Sequence, residues 1–317
     1  MPEGNVVHRL ALAFDELFGG SRLRVSSPQG RFADGAAALD GMWLVGTEAH
    51  GKQLFLAFAP AGDVHPDDRD QVRWLRVHLG LYGSWTFSGD TSFHAPHAIG
   101  APRRRVAEEE VALPRTAARG EAAASPPQGT DVAGRWHPPA PRGAVRVRLL
   151  GEHGVADLTG PTACEVVHAA EKDAVHARLG PDPLRPDGDG EVFVRAVRAR
   201  RRAVGELLMD QSVVAGVGNI YRAEALFRAR VHPTRTGQRV PAARLRRLWL
   251  DLQGLMADGV AAGAIVTTAP EHRGAGDERW YVYHRSGLPC LLCGTRVAES
   301  AMAGRRLFWC PRCQRAR

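Results

Sequence analysis

The stretch 205–222, GELLMDQSVVAGVGNIYR, decides the fold reading. The helical period of the surrounding residues, 194–230, carries through Gly205–Gln211 and resumes after Asn219, with the glycine-rich run Ala215-Gly216-Val217-Gly218 as a break. The stretch therefore predicts a helix, a turn and a second helix. Glycines in such a turn allow close backbone approach. The amides opening the second helix would face an anion such as phosphate, with Asn219 as a side-chain donor. A plain inter-helical turn has the same composition, so the stretch specifies architecture before it specifies a ligand.

Downstream, Leu245, Leu248, Leu252, Leu255 and Met256 trace a further amphipathic helix. Four of the five cysteines then form two CxxC pairs, Cys290/Cys293 and Cys310/Cys313, with sixteen residues between them. Such pairs build a tetrahedral four-thiolate Zn2+ site, and with every ligand position filled the ion is structural. Two disulfides would suit an oxidising compartment, which nothing in the chain signals. Between the pairs, Gly294–Trp309 predicts a hairpin with Arg305 and Arg306 near its tip, placed to grip phosphate bidentately. Zinc ribbons also mediate protein contacts. Cys164 stands apart and reads as a small buried residue.

Upstream of about residue 160 the period is that of strands. Met42–Ala49 and Gln53–Ala59 flank the turn His50-Gly51-Lys52. Leu75, Val77 and Leu79 alternate with polar residues, as do Val145, Val147 and Leu149. Pro60–Gln71 is polar, and Ser88–Gly143, charged and rich in Pro, Ala and Gly, is expected to be a disordered insertion. Helical period is expected again from about 164. At the start, Val6, Val7, Leu10, Phe14, Leu17 and Phe18 form one helical stripe, ended by Gly19-Gly20.

That helix begins Met1-Pro2-Glu3-Gly4. Removal of Met1 would expose the secondary amine of Pro2, and an α-amino group of pKa near ~8 is partly nucleophilic at neutral pH. Proline and glutamate are also ordinary helix-start residues, and on these four positions alone that is the simpler explanation. The chain carries 42 Lys+Arg against 34 Asp+Glu, a formal +8, which suits a phosphate-rich partner. Its two lysines are Lys52 and Lys172; among so many arginines, Lys52 fits either a position where a compact ammonium is needed or drift at a surface turn, and this point alone favours neither. No apolar run reaches the roughly 18 residues of a membrane span and the N-terminus has no basic-then-apolar signal pattern, so a cytoplasmic protein is expected. Nothing in the sequence calls for an oligomer, so a monomer is expected.

The reading is an α+β multidomain chain. It comprises an N-terminal helix with a two-layer β-sandwich (1–160, with 88–143 as the insertion), a helical domain (161–275) and a four-cysteine zinc ribbon (276–317). Taken together the motifs resemble the formamidopyrimidine-DNA glycosylase/endonuclease VIII family. The resemblance rests on Met1-Pro2-Glu3-Gly4, His50-Gly51-Lys52, the helix–two-turn–helix stretch Asp210–Arg222, Phe227–Pro233 and Tyr281–Cys313. The glycine after Pro2-Glu3, His78 with Leu81-Tyr82-Gly83, the residues Ser26–Asp34 and Gly180–Leu184 are more similar to the bacterial endonuclease VIII branch.

The resemblance implies a DNA glycosylase/AP lyase acting on damaged double-stranded DNA, with oxidised pyrimidines preferred and strand nicking by β,δ-elimination. It implies Pro2 as nucleophile through a Schiff base, Glu3 as acid/base, and Lys52 as a phosphate contact that supports catalysis. It also implies Asn219 and Arg305 as phosphate grips flanking the flipped nucleotide, and Leu81 and Tyr82 as the wedge filling the gap left by the base. Gly80 departs from the branch pattern, which has glutamine there. The rivals are a formamidopyrimidine/8-oxoguanine enzyme of the same fold and a non-catalytic zinc-dependent DNA-binding protein.

Overall fold

The computed structural model describes residues 2–101, 136–273 and 278–316. The chain divides into two compact units. A sheet unit takes Pro2 and the described residues of 10–49 and 53–172. A helical unit takes Glu3–Arg9, His50–Lys52 and the described residues from Asp173 onward.

The first helix, α1, runs Gly4–Phe18. Its expected stripe is real: Val7, Leu10, Phe14 and Phe18 are buried. In the sheet unit Phe14 meets Trp85 edge-on, with ring centroids 4.7 Å apart. The short helix α2 (Ala33–Leu39) follows β1 (Arg24–Ser26). Strands β2 (Trp43–His50) and β3 (Gln53–Ala59) pair through the predicted turn. Next come β4 (Arg73–His78), β5 (Ser84–Gly89), β6 (Ala98–Gly100), β7 (Val145–Leu150), β8 (Gly154–Thr159) and β9 (Ala163–Val167).

They form a five-stranded sheet, β1-β7-β8-β5-β6, and a four-stranded sheet, β2-β3-β4-β9. On β7 the alternation of Val145, Val147 and Leu149 is strict, each buried with exposed or half-buried neighbours, as period-two packing of one face requires.

Two expectations are corrected here. Helical period was expected from about 164, but Ala163–Val167 is a strand pairing antiparallel with β4, and the first helix after it, α3, starts at Ala169. The stretch is short enough for either period, and pairing with β4 decides it. The insertion expected at 88–143 is also too wide. The end of β5 and all of β6 lie inside it, and Trp85 pairs with Ile99. Residues 102–135 of that stretch fall outside the described residues.

In the helical unit α3 covers Ala169–His176, counted with this unit from Asp173 onward; then come α4 (Gly190–Arg198), α5 (Val204–Leu207), α6 (Asn219–Arg228) and α7 (Ala242–Ala262). Their core joins Phe193, Leu207, Val217, Tyr221, Leu245, Leu248, Leu252 and Met256. The hairpin expected between the cysteine pairs is β10 (Ala298–Met302) and β11 (Arg305–Trp309), with Met302 opposite Arg305 at the turn. Phe308, Val297 and Tyr281 pack with Phe227 and Ala223 of α6. Among the described residues no helix is long and apolar enough to cross a membrane.

Candidate active site

The glycine-rich turn places three backbone amides at the start of α6, and the anion they hold belongs to the protein. Glu3 is 1% exposed. Its Oε2 accepts from Gly218 N at 2.9 Å and Tyr221 N at 3.3 Å, and its Oε1 from Ile220 N at 2.8 Å. This corrects the expectation that these amides would cradle phosphate: a carboxylate on the chain satisfies the helix start, as any anion would. It also explains Gly218, where a Cβ would come within 2.4 Å of the Glu3 carboxyl carbon.

Lys52 reaches the same turn, its Nζ donating to Val217 O at 2.9 Å. Burial pushes Glu3 above the ordinary carboxylate range, while the Lys52 charge and the three amides pull the other way. Burial likewise pulls Lys52 below the ordinary amine range; Glu3 opposes that shift and Arg305 adds to it. The helical unit thus brings Glu3, Lys52, the start of α6 and Arg305 together. The arrangement sets a carboxyl whose pKa is raised and an ammonium whose pKa is lowered beside an exposed guanidinium.

Asn219 and Arg305 are joined through the hairpin. Asn219 Nδ2 donates to Arg306 O at 3.0 Å. Arg222, fully buried, donates to Asn219 Oδ1 and, at 2.8 Å, to Arg306 O. Burial pushes its guanidinium down to about 10. Arg222 was not singled out from the sequence, although it lies in the quoted stretch; α6 also carries Asn219, Glu224 and Arg228, so nothing local marked it.

A second residue without a sequence-level role is Asp182, 1% exposed. Its Oδ2 accepts from Gly51 N at 2.7 Å and bonds His8 Nε2 at 2.8 Å, and its Oδ1 accepts from Leu184 N at 2.8 Å. Burial works to raise its pKa, but His8 and the two amides outweigh it and hold the carboxyl below its ordinary range. His50 adds a contact to Gly180 O at 3.1 Å. The turn carrying Lys52 is therefore tied at two points to residues 180–182.

In the sheet unit, Pro2 is buried, and Tyr82, between β4 and β5, is 66% exposed with Leu81 half-buried beside it. Gly80 has φ 66°, and a Cβ there would lie 1.8 Å from Thr162 Oγ1. Backbone and neighbour together make the glutamine of the related pattern strained here.

The four sulfurs of Cys290, Cys293, Cys310 and Cys313 lie within 4.8 Å of one another, a donor set and spacing that fit one structural zinc ion. Glu224 ties this module to α6: its carboxylate accepts from the amides of Tyr281, Val282 and Tyr283, each at 2.8 Å, and from Thr267 Oγ1 at 2.5 Å. Cys164 is half-buried and, as its burial suggests, its thiol is pushed up to about 12.

A sheet unit, a glycine-broken helix pair and a four-cysteine finger define the class of helix–two-turn–helix proteins with a zinc finger. Residues 179–271 match the formamidopyrimidine-DNA glycosylase H2TH domain, and residues 287–316 the zinc finger found in FPG and IleRS. The chain is 39% identical to "Endonuclease 8 1" of Mycobacterium tuberculosis over 320 residues, covering 99% of this chain and 100% of that one. It is 42% identical to the formamidopyrimidine-DNA glycosylase of Alkalilimnicola ehrlichii over 142 residues, covering 44% of this chain and 51% of that one. The crystal structure of MutM (Fpg) from Thermus thermophilus superposes with a TM-score of 0.66 at 25% identity, covering 99% of this chain and 98% of that one. The chain belongs to the formamidopyrimidine-DNA glycosylase/endonuclease VIII family. It is a DNA glycosylase of base excision repair with AP-lyase activity.

Proposed function

We propose that this glycosylase removes oxidised bases, pyrimidines above all, from damaged double-stranded DNA and nicks the strand through a Schiff base at Pro2. The observation that carries this is the buried Glu3 carboxyl, held on three amides beside Lys52 and adjacent in sequence to Pro2. With Met1 removed, the Pro2 nitrogen attacks C1′ of the damaged nucleotide. Glu3 donates its proton to the ring oxygen as the C1′–O bond opens; the Pro2 nitrogen then gives up its proton to the departing base, which leaves with the glycosidic electron pair as the C1′=N iminium forms. The resulting iminium acidifies C2′. Loss of a C2′ proton expels the 3′ phosphate, and a second elimination expels the 5′ phosphate.

Lys52 holds the phosphate beside the lesion, Asn219 and Arg305 pinch the flanking ones, and Leu81 with Tyr82 fills the vacated stack. Together these offset the few kcal/mol that flipping costs. In this account residues 1–160 carry the chemistry, 161–275 and 276–317 grip the duplex, and the protein works as a cytoplasmic monomer.

The pyrimidine preference is supported by the end-to-end match to a protein named endonuclease 8. Single-turnover nicking of duplexes carrying an oxidised pyrimidine, 8-oxoguanine or a formamidopyrimidine tests it. The oxidised pyrimidine should be processed fastest; equal or faster processing of 8-oxoguanine would assign the chain to the other branch.

A further inference from the structure

Past the C-terminus of α6, five arginines surround one concavity of about 420 Å³: Arg230, Arg235, Arg244 near the start of α7, and Arg312 and Arg315 of the second cysteine pair. Among the described residues no carboxylate is paired with Arg230, Arg312 or Arg315. The nearby carboxylate of Asp251 is already engaged by Arg228, with contacts of 2.6 to 2.9 Å. Arg244 turns to the carbonyl of Arg230 at 3.2 Å.

Arg230 is the informative member. Its φ is 54°, the left-handed conformation that usually falls to glycine at a helix end. An L-residue there crowds its own backbone. The positive charge that favours a helix C-terminus is supplied by Arg228, inside α6 itself. The arginine at 230 therefore keeps a side chain against a local steric cost and lines one hollow with four other arginines, whose like charges favour an anion between them.

We propose that this concavity is a second DNA site, binding the phosphate backbone of an undamaged duplex while the lesion duplex occupies the opposite end of α6. Asn219 and Arg230 are eleven positions apart, about 16 Å along a helix. Apart from Cys313 the lining is arginine, whose planar guanidinium fork matches two phosphate oxygens. Several of them around one hollow suit closely spaced phosphates, and DNA is the polyanion this enzyme already works on. Holding two segments would let the enzyme pass from one to another without full release. The location of the first duplex rests on the function proposed above.

The test saturates the full-length zinc-loaded protein with a short duplex containing a tetrahydrofuran abasic-site analogue, then titrates a labelled undamaged duplex across a salt series. The wild type should capture the second duplex. Arg230→Gly with Arg315→Gln should weaken that capture at least about 10-fold and lower its log–log salt slope by about 2, one released contact per arginine. Glycine suits the backbone at 230, so the variant should melt within a few degrees of wild type and nick a short lesion duplex within about 2-fold.

No capture by the wild type, or equal capture by the variant, overturns the proposal. Binding of polyglutamate through these arginines in the absence of duplex capture overturns it in favour of an acidic protein partner. Nicking reports the first site separately. A chain that fails to nick yet captures a duplex through Arg230 and Arg315 keeps this site and loses the lesion reading.

Discussion

The Glu3 carboxyl is under opposed pressures, and which one dominates sets its chemistry. Burial raises its pKa; Lys52 and three amides restrain the rise. A raised pKa keeps the proton available for ring opening, so excision should fall as pH climbs through the Glu3 value. Nicking of a pre-formed abasic site should lack that limb. Lys52→Met removes the charge that lowers Glu3, so the limb should move to higher pH even as the rate drops; an unmoved limb would dissociate the two groups. Glu3→Gln should lose excision by about 10²–10⁴-fold, the range of general acid catalysis, while still cleaving an abasic site. Equal loss on both substrates in single-turnover assays would reassign its role. The catalytic roles proposed for Glu3 and Lys52 were legible in the sequence only through the family resemblance, since the N-terminal tetrapeptide alone reads as a helix start and a rare lysine as drift. The partner of the turn amides was not: a glycine-rich helix start accepts any anion, and only the fold brings residue 3 to residues 218–221.

At the scale of elements, rigidity comes from buried carboxylates that accept from backbone amides. Asp182 ties the turn bearing Lys52 to the stretch 180–184. Asp182→Ala should cost about 3 kcal/mol, since it strands the buried Gly51 amide and leaves the half-buried Leu184 amide and His8 without their partner, and should slow chemistry by loosening Lys52. Its folded pKa lies below the unfolded value, so the stabilisation is complete above the ordinary carboxylate range. It is lost as pH falls below about 4 toward the folded value, and the denaturant-measured gap between wild type and variant should close there. A gap constant with pH would remove the carboxylate from that role. Chelation of zinc should release β10 and β11 and abolish DNA binding, with the strand signal of the sheet unit retained in circular dichroism. Binding that survives verified zinc removal would contradict it. Strands with strict alternation and the cysteine hairpin were legible from period and spacing. β9 was not, because five residues before a helix carry too little periodicity, and β6 was masked by the biased composition around it.

For the whole molecule, the excess of arginine predicts binding governed by phosphate neutralisation. Arg305→Ala should weaken affinity for all duplexes alike and lower the salt slope by about 1; an unchanged slope would exclude a phosphate contact. The class of fold was legible because separate signals, namely the glycine break, the thiol pairs and the strand alternation, agreed in order along the chain. Residues whose roles arise from long-range packing, such as Arg222, Asp182 and Glu224, carried no such local signal. The central claim, covalent chemistry at the N-terminal proline, is tested most directly by borohydride trapping on a duplex carrying an oxidised pyrimidine, followed by peptide mapping of the adduct. The account predicts a stable adduct on Pro2 in chains lacking Met1. An adduct on Lys52, or tight binding with no adduct, would contradict it.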